Sequence, residues 1–182
     1  MNESLKDSCF FGIDPSTKTG IVHIDPDGKL LESKLVVSQY DMSQDLKRIE
    51  EIVRDTIKWV YDRYATGDLV CIESPAWSSN GRYSIQQGTI GLLMRIQMNN
   101  NGIDWINAAP TQLKKYISGN HRASKDQLIK PLKEKYGFVH GDDNVRDAFG
   151  LAQIARSVRT GDWLDEKQKE VALKIKSELN KG

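Results

Sequence analysis

Two short apolar runs in this chain stop on a carboxylate: Cys9-Phe10-Phe11-Gly12-Ile13 on Asp14, and Leu69-Val70-Cys71-Ile72 on Glu73. Runs of this length and composition read as buried strands. A charge at the end of such a strand must be solvated, paired or coordinated, because burying it bare is costly. Two more acids, Asp143 and Asp147, stand one turn apart at the head of a segment with helical periodicity, so they share a face. Strand ends and a helix that together present hard oxygens suit Mg²⁺ or Mn²⁺.

The order of elements agrees with that demand. Residues 9–14, 19–24 and 30–37 predict an antiparallel meander, with Asp25-Pro26-Asp27-Gly28 as a turn. Asp41 or Ser43 caps a helix whose stripe runs from Leu46 to Tyr64 and which Gly67 ends. Residues 69–73 then form a strand parallel to the first. A polar loop over 75–83 leads to a helix over 84–99, and residues 103–106 form a fifth strand. Pro110 opens a short helix to Ile117. Ser124-Lys125-Asp126-Gln127 fits a capping box and starts a helix that ends near Gly137. Further helices span 143–158 and 163–179, the last with Leu164, Val171, Ile175 and Leu179 on one face. This is an α/β plan with a mixed five-stranded sheet flanked by helices. With no repeat, low-complexity tract or linker, residues 1–182 are expected to form a single domain.

Bulk properties narrow the setting. No stretch is apolar enough to span a membrane, and the N-terminus lacks the basic-then-apolar plan of a signal peptide, so a cytoplasmic protein is expected. Cys9 and Cys71 lack metal-type spacing and read as reduced core thiols. The net charge is only +1, but from Arg95 to Tyr136 eight basic residues face three acids. That bias fits either a solvated helical face or a surface for a polyanion.

Each candidate residue has a plainer reading beside the chemical one. Asp14 precedes Pro15 and could simply end a turn. Glu73 could be a solvated strand terminus, although Glu is depleted in strands. Asp142 and Asp143 suit a helix N-terminus for electrostatic reasons alone; Asp147, beside Ala148 and Phe149, does not. Trp77 and Tyr83 flank a polar loop that includes Arg82. Exposed aromatics there can stack on unpaired bases, or fold back on the body. His140 reads as a surface histidine.

In order and spacing these pieces resemble the RuvC-type Holliday junction resolvases of the ribonuclease H-like superfamily, over roughly residues 9–158. The resemblance is carried by Gly12-Ile13-Asp14-Pro15-Ser16 with Thr19-Gly20, Cys71-Ile72-Glu73, and Gly88-Thr89-Ile90-Gly91. Pro110-Thr111-Gln112-Leu113-Lys114, Ser124-Lys125, and Asp147-Ala148 with Leu151-Ala152 complete it. The small size and loose motif agreement look more like phage-borne members, which would act in the host cytoplasm. The sequence departs from the family in two places. The acid three residues before the last one is replaced by Asn144, with Asp143 four before. Ala76 stands where a stacking aromatic is expected, with Trp77 next.

The resemblance implies a metal-dependent endonuclease for branched DNA, most of all four-way junctions, acting as a homodimer that makes paired nicks. Asp14, Glu73, Asp143 and Asp147 would hold two Mg²⁺ ions, with Mn²⁺ able to substitute. Asn144 is the alternative to Asp143, through its carbonyl. Lys125 would offset charge on the scissile phosphate, and Lys114, Arg122, Arg82, Trp77 and Tyr83 would contact DNA. Cleavage of RNA–DNA hybrids, an actin-like nucleotide-binding module built on Asp14-Pro15-Ser16-Thr17, and an inert DNA binder are the competing expectations.

Overall fold

Five strands form one mixed sheet in the order β3-β2-β1-β4-β5. They are β1 (Phe10–Asp14), β2 (Lys18–Ile24), β3 (Leu30–Val37), β4 (Leu69–Glu73) and β5 (Trp105–Ala108). The computed structural model describes residues 7–75 and 82–179, without the side chains of 82–84. β1, β2 and β3 pair antiparallel, whereas β4 runs parallel to β1 and β5 parallel to β4. The turn after β2 closes where Gly28, at φ +86°, donates its N–H to the Asp25 carbonyl at 3.0 Å.

Helices cover both faces. α1 (Asp45–Tyr61) and α2 (Arg82–Asn100) lie on one side; α3 (Pro110–Ser118), α4 (Asp126–Tyr136), α5 (Asp143–Thr160) and α6 (Glu166–Leu179) lie on the other. Strand alternation sorts the side chains between the two cores. Phe11, Ile13, Val70 and Ile72 join the α1–α2 core, while Phe10, Leu69 and Cys71 join the second. Asp14 and Glu73 stand four residues after Phe10 and Leu69. Both carboxylates therefore emerge on the α5 side, at neighbouring strand ends.

α5 is buried along most of its length and rests almost directly on strand backbone. A Cβ on Gly12 would lie 1.8 Å from the Ala148 carbonyl oxygen and 2.5 Å from the Ala152 nitrogen. One on Gly20 would lie 2.2 Å from the Asn144 carbonyl oxygen. Glycine at these two positions lets the head of α5 settle beside the end of β1, two residues before Asp14 and one residue after Asp147.

Element boundaries moved where tertiary contacts decided them. Asp41 caps a short 3₁₀ turn by accepting from the Ser43 N–H, and α1 starts only at Asp45. α1 ends at Tyr61 rather than at Gly67. β5 starts two residues late because buried Ile103 folds back, its N–H reaching the Met98 carbonyl. Half of the expected capping box forms: the Gln127 side chain accepts from the Ser124 N–H, but no serine side-chain cap is made. On α6, Val171 and Ile175 are buried as expected, whereas Leu179, and Leu164 just ahead of the helix, stay exposed.

Gly12→Ala is expected to destabilise the fold by about 3 kcal/mol or more, since backbone atoms rather than a movable side chain block the new methyl. Gly88→Ala, whose Cβ would meet only Pro75 at 3.9 Å among the described residues, is expected to be neutral or mildly stabilising. Urea midpoints of the two variants check the contrast.

Candidate metal and nucleic-acid site

The site lies where the ends of β1 and β4 meet the head of α5. Asp14 is only 4% exposed and Asp147 9%; Glu73 is half-buried. Among the described residues, neither the Asp14 nor the Glu73 carboxylate has a hydrogen-bond or ion-pair partner. Asp147 has one distant partner, the Lys125 ammonium at 3.8 Å. Three carboxylates thus crowd into a poorly solvated space with little to offset their charge.

Their titration reflects that crowding. Burial, then the charge of Asp147, pushes Asp14 up to about 7, against the opposing pull of Lys125. Burial, then Asp14 and Asp147, pushes Glu73 up to about 9. Asp14 and Glu73 face each other as a pair, and both shift upward. Burial also raises Asp147 to about 6, with Lys125 drawing it down and Asp143 pushing it up. Groups displaced in this way mark positions where a cation would be strongly held.

Asp143 sits beside these three but is differently engaged. Its carboxylate takes a hydrogen bond from Lys125 at 2.5 Å, which holds it below the usual carboxylate range. Burial works to lower the Lys125 pKa. Its bond to Asp143, with the charges of Asp147, Asp143 and Asp14, outweighs this and leaves the ammonium raised. The expected cage of four acids is therefore not closed. Among the described residues, no three His, Cys, Asp or Glu groups converge tightly enough to hold an ion. The donor set nonetheless fits a hard divalent cation. It is all oxygen and anionic, and it sits where bulk water compensates poorly.

The remaining candidates divide. Lys114 on α3 lies close enough for its charge to lower both Glu73 and Asp147. Arg122 is exposed in the loop before α4, its N–H on the Asn120 side chain at 2.9 Å, with no hydrogen bond or ion pair to the carboxylates among the described residues. Asn144 donates its N–H to Asp142, and no hydrogen bond joins its side chain to the acids among the described residues. Trp77 lies outside the described residues. Arg82 and Tyr83 fall in the first turn of α2, their side chains likewise outside the description. His140 is half-buried, stacked on Phe138, and accepts from the Asp142 N–H at 3.1 Å, a loop-closing role.

Two supports went unread in the sequence. Asp142 caps α5 and is itself held by Lys18, at the start of β2, at 2.5 Å. That ion pair ties the head of α5 to the turn after Asp14. The acid-rich Asp142-Asp143-Asn144 announced a cap but not its partner. Arg95 on α2 donates to the Glu73 carbonyl at 2.9 Å, and no local signal marks it. In the Asp14-Pro15-Ser16-Thr17 stretch that resembles a phosphate loop, the Ser16 hydroxyl accepts from the Lys18 N–H at 3.0 Å, and the Ser16 backbone bonds the Thr19 hydroxyl across the turn after β1.

The family model described as "Crossover junction endodeoxyribonuclease RuvC" matches residues 10–152. A crossover junction endodeoxyribonuclease RuvC from Neorickettsia sennetsu is 27% identical over 164 residues, covering 86% of this chain and 95% of the relative. The fold matches a Thermus thermophilus RuvC structure with a TM-score of 0.67 at 16% identity, over 84% of this chain and 96% of that one. It matches T. thermophilus RuvC in complex with Holliday junction substrate with a TM-score of 0.67 at 17% identity, over 85% and 96%. With the family match spanning most of its length and the acids at the strand ends where the fold brings them together, the chain belongs to the RuvC family of crossover junction endodeoxyribonucleases.

Proposed function

We propose that this chain resolves Holliday junctions, in the cytoplasm, by paired nicks at a site built from Asp14, Glu73 and Asp147 with Asp143. The observation that carries the reading is the burial of Asp14 and Asp147 beside Glu73, with Lys125 the one lysine ion-paired to any of the three among the described residues. Divalent-metal dependence goes with the family; Mg²⁺, two ions per site and replacement by Mn²⁺ are the finer claim. Bound there, the ions supply an activated water and stabilise the departing 3′ oxygen. Asp14, Glu73 and Asp147 would hold them, with Asp143 able to join where Lys125 turns to DNA instead. Lys125 then offsets charge that builds on the scissile phosphate. Lys114 holds a neighbouring phosphate. Arg122, Arg82, Trp77 and Tyr83 extend the DNA contact, the aromatics by stacking at the branch point.

Paired nicks need two sites, and α2 offers a surface for a second copy. Ile85, Leu92 and Ile96 are exposed at spacings of seven and four along it. They adjoin a groove of about 700 Å³ between α1 and α2 that includes Leu46, Val53, Tyr61 and Leu93. A C₂ pair across this face is expected. Leu92→Glu should give a monomer by sedimentation, with single uncoupled nicks in place of paired ones. A dimeric variant with paired cuts would move the interface elsewhere.

Cleavage of labelled four-way junction, flap, duplex and RNA–DNA hybrid, with Mg²⁺, Mn²⁺ or EDTA, tests the reaction. Metal-dependent paired cutting of the junction is expected, reduced about 10²-fold or more in Asp14→Asn and Asp147→Asn. Cutting confined to the hybrid would replace junction resolution with a ribonuclease H activity.

The metal claim has a readout apart from cleavage. For Asp14, Glu73 and Asp147 the folded pKa lies above the unfolded one, near 4. The folded state therefore keeps the extra protons between that value and about 6–9. Stability of the metal-free protein is then expected to fall as pH rises through this window. Each Mg²⁺ bound at a hundredfold excess over its Kd should raise it by about 2.7 kcal/mol. Asp14→Asn should stabilise the metal-free protein at pH 8 by on the order of 2 kcal/mol and blunt the Mg²⁺ effect. Thermal melts across pH, with Mg²⁺ or EDTA, check all three.

A further inference from the structure

Glu73 is the last residue of β4, and beyond Pro75 the chain leaves the described structure. Its carboxylate makes no hydrogen bond among the described residues, and the backbone that carries it fixes where its Cβ starts. On the β5 side that backbone is tied by one ladder bond, the Ser74 N–H to the Ala108 carbonyl at 2.8 Å. The second tie comes from α2. Arg95 donates through Nη2 to the Glu73 carbonyl oxygen at 2.9 Å and through Nε to the Asn107 side-chain oxygen at 2.9 Å. Its guanidinium also lies 5.7 Å from the centre of the Trp105 ring. One planar group thus bridges the end of β4 to β5, a task for which the fixed fork of arginine is suited and lysine is not.

The approach is reserved for it. A Cβ on Gly91, one turn earlier on α2, would lie 2.8 Å from the Arg95 Nη1 and 3.4 Å from the Pro15 Cγ. Pro15 follows Asp14 directly. The guanidinium therefore sits behind the site, against the end of β4 that carries Glu73 and on the side of Pro15, and among the described residues no carboxylate neutralises it. Burial lowers its pKa, yet it remains a cation at any physiological pH.

We infer that Arg95 is the positioning residue for Glu73, holding the end of β4 so that the carboxylate meets the metal; this rests on the reading of Glu73 as a metal ligand. Groups that orient a ligand from behind in this way typically contribute 10–100-fold in metal affinity or activity.

The test compares Arg95→Met, Gly91→Ala and Glu73→Gln with the wild type. Three quantities are read: Mn²⁺ affinity by calorimetry, the Mg²⁺ concentration for half-maximal junction cleavage, and junction affinity in EDTA. Arg95→Met should weaken Mn²⁺ binding and raise the Mg²⁺ midpoint by about tenfold or more, with junction affinity in EDTA unchanged. Gly91→Ala keeps the arginine but crowds its guanidinium, so both metal readouts should move the same way. Its Tm should stay near the wild-type value, the roughly 1 kcal/mol that alanine adds to the helix offsetting the disturbed arginine bonds. General loosening of the fold cannot produce weaker metal binding at an unchanged Tm. Wild-type metal readouts in Gly91→Ala, or in a folded Arg95→Met, would overturn the inference while Glu73→Gln still weakens metal binding. Wild-type metal binding and cleavage in Glu73→Gln would instead remove Glu73 from the site, and the inference with it.

Discussion

The approach of α5 to bare strand backbone is the constraint on which the rest of this structure depends. Without side chains at Gly12 and Gly20, the helix sits at a distance that no other residue pair allows. That distance delivers Asp147 to the end of β1. It also lets α5 fill the second core through Val145, Ala148, Leu151, Ala152 and Ala155. The same contact that stabilises the fold thus assembles the charges, so the fold cannot relieve their repulsion by letting α5 drift away. Lys18 on Asp142 fixes the head of the helix at the same corner.

Holding the acids together works against the fold, and the way the strain is shared says what the site awaits. Apolar burial along β1, β4 and α5 supplies stability; raised carboxylates at their ends subtract from it. Protonation, Lys125 or a divalent ion can each lower that penalty, and they compete. Lys125 alone is partial relief, since it lies against Asp143 and 3.8 Å from Asp147 with no bond to Asp14 or Glu73. A DNA phosphate could not enter such a field unaided. A divalent cation held there would offset that charge and leave Lys125 free to turn toward phosphate.

Much of the fold was legible in the sequence because burial and chain alternation act locally. The runs ending at Asp14 and Glu73 are strands, the stripe from Ile49 to Val60 is a helix face, and Asp147 is a helical acid turned toward the sheet. What escaped depended on partners far along the chain. β5 slid by two residues because Ile103 found a seat under α2, and α1 gave up its first turn to a cap at Asp41. Lys18 lies 124 residues from Asp142 and Arg95 lies 22 from Glu73. Neither spacing has a periodicity that could announce the bond. Polar ties of this kind are settled by which surfaces the core has already brought into contact.

The displaced acid on α5 shows how one residue of spacing redistributes roles. At 3.6 residues per turn, a position three before Asp147 is rotated roughly 60° to one side of it and a position four before roughly 40° to the other. Asn144, at the first, has its backbone carbonyl against Gly20, on the β2 side. Asp143, at the second, meets Lys125 at the head of α4. Moving the carboxylate from one to the other carries negative charge away from the sheet and toward the lysine. The acid then lies against a lysine rather than among the other three carboxylates. In this chain the fourth acid is tied to Lys125, whereas Asp14, Glu73 and Asp147 are brought together by the strand ends and the close seat of α5.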